Sequence, residues 1–124
     1  MKKHITALCT ILLVFMLGSC GSLHDATFSG SKTGDENHYD ISFDILNTTY
    51  THDLVMTQGE RIRVHVEKES GTITVKIQKG QETPVYEGNG EVATDFYVTI
   101  QENGTYTVSV TGKKAKGRVT FQRQ

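Results

Sequence analysis

The chain has only two cysteines, Cys9 and Cys20, and none after residue 20. A disulfide framework, a C-x-x-C redox pair and a cysteine-ligated zinc are therefore excluded from everything downstream. Tryptophan is absent, which removes the usual stacking platform for sugars, and proline occurs once, at Pro84. Neither sign of charge dominates: 13 Lys and Arg stand against 14 Asp and Glu, for a formal net charge of -1. That balance argues against a nucleic-acid partner. Beyond Leu17 there is no long apolar run and no 3.6-residue periodicity. No G-x-S-x-G elbow, H-E-x-x-H helix motif or D-x-D-x-D-G calcium loop occurs anywhere.

What is present begins with Lys2 and Lys3, followed by an uncharged, mostly apolar run from Ile5 to Leu17. That run suits a signal-peptide core and is short of the roughly 20 residues a bilayer span needs. It closes on Leu17-Gly18-Ser19-Cys20, which resembles the lipobox of bacterial lipoproteins. The resemblance implies a diacylglycerol on the Cys20 sulfur and cleavage between Ser19 and Cys20. It also implies a mature chain held on the outer side of a cell membrane, in the cell envelope, with membrane lipid as its first partner. Acyl chains in that number anchor more firmly than a single myristoyl group. Without Lys2 and Lys3 the mature chain would carry 11 basic and 14 acidic residues.

The expected organisation is a signal peptide at 1–19, the lipidated cysteine and a flexible tether at 20–37, and one domain at 38–124. The tether is rich in Gly, Ser and Asp. The domain alternates with period 2: Tyr39, Ile41, Phe43, Ile45; Leu54, Met56; Ile62, Val64, Val66; Ile73, Val75, Ile77; Phe96, Val98, Ile100; Tyr106, Val108, Val110; Val119, Phe121. Strands with one buried and one wet face read this way. Turn signals fall between the runs at Gln58-Gly59, Ser70-Gly71, Lys79-Gly80, Asn89-Gly90, Asn103-Gly104 and Gly112 through Gly117. They predict a hairpin of Glu60–Lys68 with Thr72–Gln78, and another of Phe96–Gln101 with Thr105–Thr111. Pro84 precedes a short Val85-Tyr86-Glu87 strand and suits an edge. The fold class is all-β: a single antiparallel β-sandwich or jelly-roll-like domain of seven or eight strands.

A second resemblance lies in the back half. Gly104-Thr105-Tyr106-Thr107-Val108-Ser109-Val110, then Gly112, Ala115 and Gly117 before Val119-Thr120-Phe121, is similar to the closing strands of pre-peptidase C-terminal domains and of small extracellular lipoprotein domains. It implies the fold and no active site.

Few residues carry chemistry. His24, His38, His52 and His65 have no metal-ligand spacing and read as solvated residues. Asp25, Asp35, Glu36, Asp40 and Asp44 cluster, and Gly34-Asp35-Glu36-Asn37 has atoms suited to calcium without the spacing of a calcium loop. No metal or cofactor is assigned. Tyr50, Tyr86 and Tyr97 fall on or near the polar phase of strands, where a sugar platform would need them. Lys113-Lys114-Ala115-Lys116 reads as a solvated turn. The expected function is a non-enzymatic, membrane-anchored lipoprotein with an interaction domain. The alternatives are a carbohydrate- or small-ligand-binding module of the envelope, and an accessory subunit of a membrane complex. The accessory subunit requires an exposed apolar patch or an unpaired edge strand.

Overall fold

The computed structural model describes residues 27–89, 91 and 94–124. The signal peptide, Ser19, Cys20, His24, Asp25 and Gly90 lie outside the described residues. Among the described residues the chain forms seven strands and no helix: β1 (Phe28–Gly34), β2 (His38–Leu46), β3 (Thr49–Met56), β4 (Arg61–Lys79), β5 (Tyr86–Gly88), β6 (Asp95–Thr99) and β7 (Gly104–Arg123). All pairings are antiparallel. The architecture is β-sandwich-like, as the alternation predicts.

Two long strands organise it. β4 and β7 pair with each other along nearly their whole lengths and bend together. The first half of β4 and the second half of β7 form one layer with β1, β2 and β6, in the order β1-β2-β7-β4-β6. Their other halves form a second layer, β3-β7-β4-β5. The inner faces share a single core of buried apolar side chains, including Ile41, Leu54, Ile62, Val64, Ile73, Ile77, Val108 and Phe121.

Both expected hairpins are corrected here. Glu60–Lys68 and Thr72–Gln78 are two halves of one strand, and Gly112 through Gly117 lie inside β7 rather than in a turn. The apolar phase of β4 changes from even (Ile62, Val64, Val66) to odd (Ile73, Val75, Ile77) across register shifts between Lys68 and Thr72. A bulge that adds one residue flips the facing of every later side chain, so a continuous strand keeps both apolar sets inside as it crosses from layer to layer. β7 does the same between Val110 and Ala115, which is fully buried. Phe96–Gln101 does not pair with β7, because β6 lies on β4.

Two further corrections concern the front of the domain. From Phe28 to Gly34 the expected tether is the first strand, paired to β2 along its length. Ile45 is 37% exposed and Leu46 is buried in its place, because the β2–β7 register shifts between Phe43 and Leu46. Phe96 and Val98 are partly buried against the core rather than within it. Tyr106 explains the Gly-x-Tyr motif: its buried hydroxyl donates to the Glu102 carbonyl at 2.7 Å, a tyrosine corner that pins the start of β7.

Candidate functional site

The outer face of the first layer is a ladder of paired charges. Arg118 on β7 clasps Asp40 on β2, with Nε at 3.0 Å, and Arg63 on β4 clasps Asp95 on β6 at 3.0 and 2.8 Å. These guanidinium hydrogen bonds hold both carboxyls below the usual Asp range. His65 lies between Glu67 at 3.1 Å and Asp95 at 3.8 Å. An open depression of about 410 Å³ sits where this face meets the bend, lined in part by Ser31, Ser42, Asp44, Glu67, Lys116 and Arg118. Lys116 faces Glu69 at 3.6 Å.

The candidate calcium carboxylates are engaged separately. Asp35 accepts the Asn37 and His38 amides at 2.7 and 3.0 Å and the His38 Nδ1 at 2.9 Å, closing the β1–β2 turn. The Asn37 amide is the largest cause of its lowered pKa. Asp40 belongs to Arg118. Among the described residues no group of three or more His, Cys, Asp and Glu is placed to hold a metal ion.

The three tyrosines do not share a face. Tyr50 packs edge-on to Phe28 at 5.0 Å and lies under the Lys32 ammonium at 3.6 Å, on the inner side of β3. Tyr86 packs on Phe96 at 4.6 Å, at the opposite side of the sandwich. Only Tyr97 is exposed, at 46%, and the Arg61 guanidinium lies 4.3 Å from its ring. Tyr50 shares the parity of Leu54 and Met56 on β3 and points inward with them, rather than onto the polar face the alternation predicts. His52 points inward as well, stacked on Tyr39 at 4.8 Å, and its Nε2 donates to the Asp35 carbonyl at 2.8 Å.

The feature that sequence reasoning missed is the outer edge of β3. The Gly112 amide donates to the Thr48 carbonyl, so Thr48, and with it Tyr50, His52 and Leu54, exchange bonds with β7. By alternation Thr49, Thr51, Asp53 and Val55 aim their N–H and C=O groups away from β7. The Val55 carbonyl accepts from Arg123 Nη1 at 3.1 Å, which caps that end. Thr49, Thr51 and Asp53 have no backbone partner on that side among the described residues. Beside them Val55 is 66% exposed, the most exposed large apolar side chain described. A cavity of about 620 Å³, lined by Asp35, Glu36, His52, Asp53, Val55 and Arg123, opens at the same rim.

β1 and β5 carry protection that β3 lacks, while β6 has no Gly, Pro, Lys or register shift either but is only five residues long. β1 has a bulge, glycines and Lys32, and β5 is three residues long. β3 runs Thr-Tyr-Thr-His-Asp-Leu-Val-Met, without Gly, Pro, Lys or a register shift. Bulges, lysines and short length are what keep sheet edges from pairing with other chains. The signal was in the sequence as a run with no interrupting residue.

No protein-family model and no curated protein matches the chain. Among solved structures it is similar to PliG of Aeromonas hydrophila, a periplasmic inhibitor of g-type lysozyme. That pair has 15% identity and a TM-score of 0.48, over 80% of this chain and 88% of that one. A CBM4 structure follows at 11% identity and TM-score 0.44, over 84% and 83%. The cupin domain of Drosophila melanogaster CENP-C gives 9% and 0.35, over 82% and 77%. These likenesses carry no assignment of role.

Proposed function

We propose that the protein is a lipid-anchored lipoprotein of the bacterial cell envelope whose domain works without catalysis, by binding a protein partner through strand addition at β3. The observation that carries this reading is the outward row of backbone groups on Thr49, Thr51 and Asp53. Main-chain bonds along such an edge supply affinity, and the neighbouring side chains supply selection. The lipobox-like Leu17-Gly18-Ser19-Cys20 supports the anchor. The ionisable groups of the first layer support a non-catalytic role, since Asp40, Asp95, Arg63 and Arg118 neutralise one another on an open face. This is the unpaired edge that an accessory subunit of a membrane complex would need.

The test is in-cell cross-linking of the full-length protein followed by recovery from its membranes, in wild type and in Thr51→Pro. The Thr51 amide faces away from β7, so proline removes a donor from the edge and none from the sheet. Thr51→Lys serves as a second block. The expected result is a cross-linked species that both variants lose while their thermal unfolding stays cooperative. A species retained in both folded variants would remove β3 from the model.

A further inference from the structure

We infer that the occupant of the β3 edge is a second copy of this chain, paired antiparallel across a two-fold axis through Thr51. The inference rests on the reading of β3 as the docking edge and names its partner. In that register Thr51 faces the other copy's Thr51, Thr49 faces its Asp53, and Tyr50 faces its His52. The outward residues Thr49, Thr51 and Asp53 share one parity, so each pair of them exchanges both N–H···O bonds. The second layers of the two copies then join into one continuous sheet, with the isologous contact expected of a symmetric dimer.

The edge is self-complementary in chemistry, and each contact it would make already exists inside the chain. A hydroxyl-to-carboxylate pair across strands occurs where Thr107 donates to Asp53 Oδ1 at 2.7 Å. Among the described residues Asp53 Oδ2 has no hydrogen-bond partner, and it is placed on the outer face with Thr49. The Thr49 hydroxyl lies 2.8 Å from that of Thr111, and a hydroxyl that accepts there keeps its proton for the facing Asp53. A hydroxyl-to-hydroxyl pair like Thr51 with Thr51 is the same contact as Thr49 with Thr111, and as Ser31 with Ser42 at 3.0 Å. A tyrosine stacked on a histidine is what Tyr39 and His52 form, with planes 6° apart. Antiparallel reversal of Thr49-Tyr50-Thr51-His52-Asp53 thus sets each side chain against one it is chemically suited to meet.

The contact is short. A few strand residues cover less than the roughly 1,200 Å² of a stable interface between freely diffusing proteins. Two copies anchored in the same leaflet meet at a raised effective concentration, so a weak edge suffices there.

The experiment uses single cysteines in the full-length chain in its own membranes, with mild oxidation and non-reducing electrophoresis. Wild type controls for Cys20. Facing α-carbons in an antiparallel pair lie about 5.5 Å apart, within disulfide range. Thr51→Cys is expected to form a covalent dimer by itself. Thr49→Cys and Asp53→Cys are each expected to stay monomeric alone and to dimerise when co-expressed. No dimer from Thr51→Cys, or equal dimer from all three alone, overturns the inference. Thr51→Cys joined to a different protein overturns the second copy as occupant and leaves the docking edge standing. No adduct of any kind at Thr51 fails both.

Discussion

Gly71 on β4 and Lys114 on β7 face each other across the bend, both with positive φ, at 76° and 49°. A β-carbon on Gly71 would fall on the Lys114 backbone carbonyl. The two long strands can bend together only because one of them brings no side chain to the crossing. Gly71→Ala is expected to cost about 2–4 kcal/mol, since overlap with backbone cannot be relieved by a rotamer change. Lys114→Gly should change stability by no more than about 1 kcal/mol, because relief of the left-handed conformation is offset by a freer unfolded chain. Urea unfolding of the two variants checks the pair, and equal losses would contradict this account of the bend.

The bulge in β2 makes a sharper test of register. Leu46 is fully buried and Ile45 is 37% exposed. Leu46→Ala should lose about 2–5 kcal/mol, the range for deleting a buried leucine side chain. Ile45→Ala should lose less than about 1 kcal/mol. The reverse order would restore the unbroken alternation of Tyr39, Ile41, Phe43 and Ile45.

Tyr106→Phe isolates the tyrosine corner. The ring stays in the core and only the bond to the Glu102 carbonyl is lost. The expected destabilisation is about 1 kcal/mol, the net worth of one hydrogen bond, read as a lowered urea midpoint with an unchanged slope.

Acid should weaken the fold through the paired carboxylates. Arg118 holds Asp40 below its ordinary range, and Arg63 does the same for Asp95. A lowered folded pKa means the unfolded chain takes up protons first as pH falls. The contribution is therefore fully present above the unfolded value of about 3.9 and is lost as pH drops through the folded values. Melting temperature is expected to be flat near neutrality and to fall below about pH 4. Asp40→Asn should lose part of that fall, and an acid profile identical to wild type would exclude the Asp40–Arg118 pair as a source of it. Exposure of Arg63, Asp95 and Arg118, with Asp40 half-buried, keeps the effect modest.

The anchor has its own test. Cys20→Ala is expected to move the protein from the membrane fraction to the soluble fraction and to abolish incorporation of labelled fatty acid. An unlabelled wild-type protein would remove the lipoprotein reading while leaving the β3 edge as it stands.

Much of this protein was determined by its sequence alone, because burial is a local choice. Period-2 alternation assigned Ile62, Val64, Ile73, Val75, Val108 and Phe121 to the core without knowledge of any neighbour, and Gln58-Gly59 and Lys79-Gly80 are turns as their residues require. Tertiary structure decided which strands meet. Ser70-Gly71 and the stretch from Gly112 to Gly117 carry the marks of a turn, yet there the chain continues as a bulged strand. A positive φ and a shift of apolar phase satisfy a hairpin and a bulge equally. The choice fell to β4 and β7 bending in register over their full length, a contact between segments far apart in sequence. The β3 edge follows for the same reason. Residues Thr49–Met56 determine that the strand has no built-in protection, and only the sheet order leaves one of its sides without a neighbouring strand among the described residues.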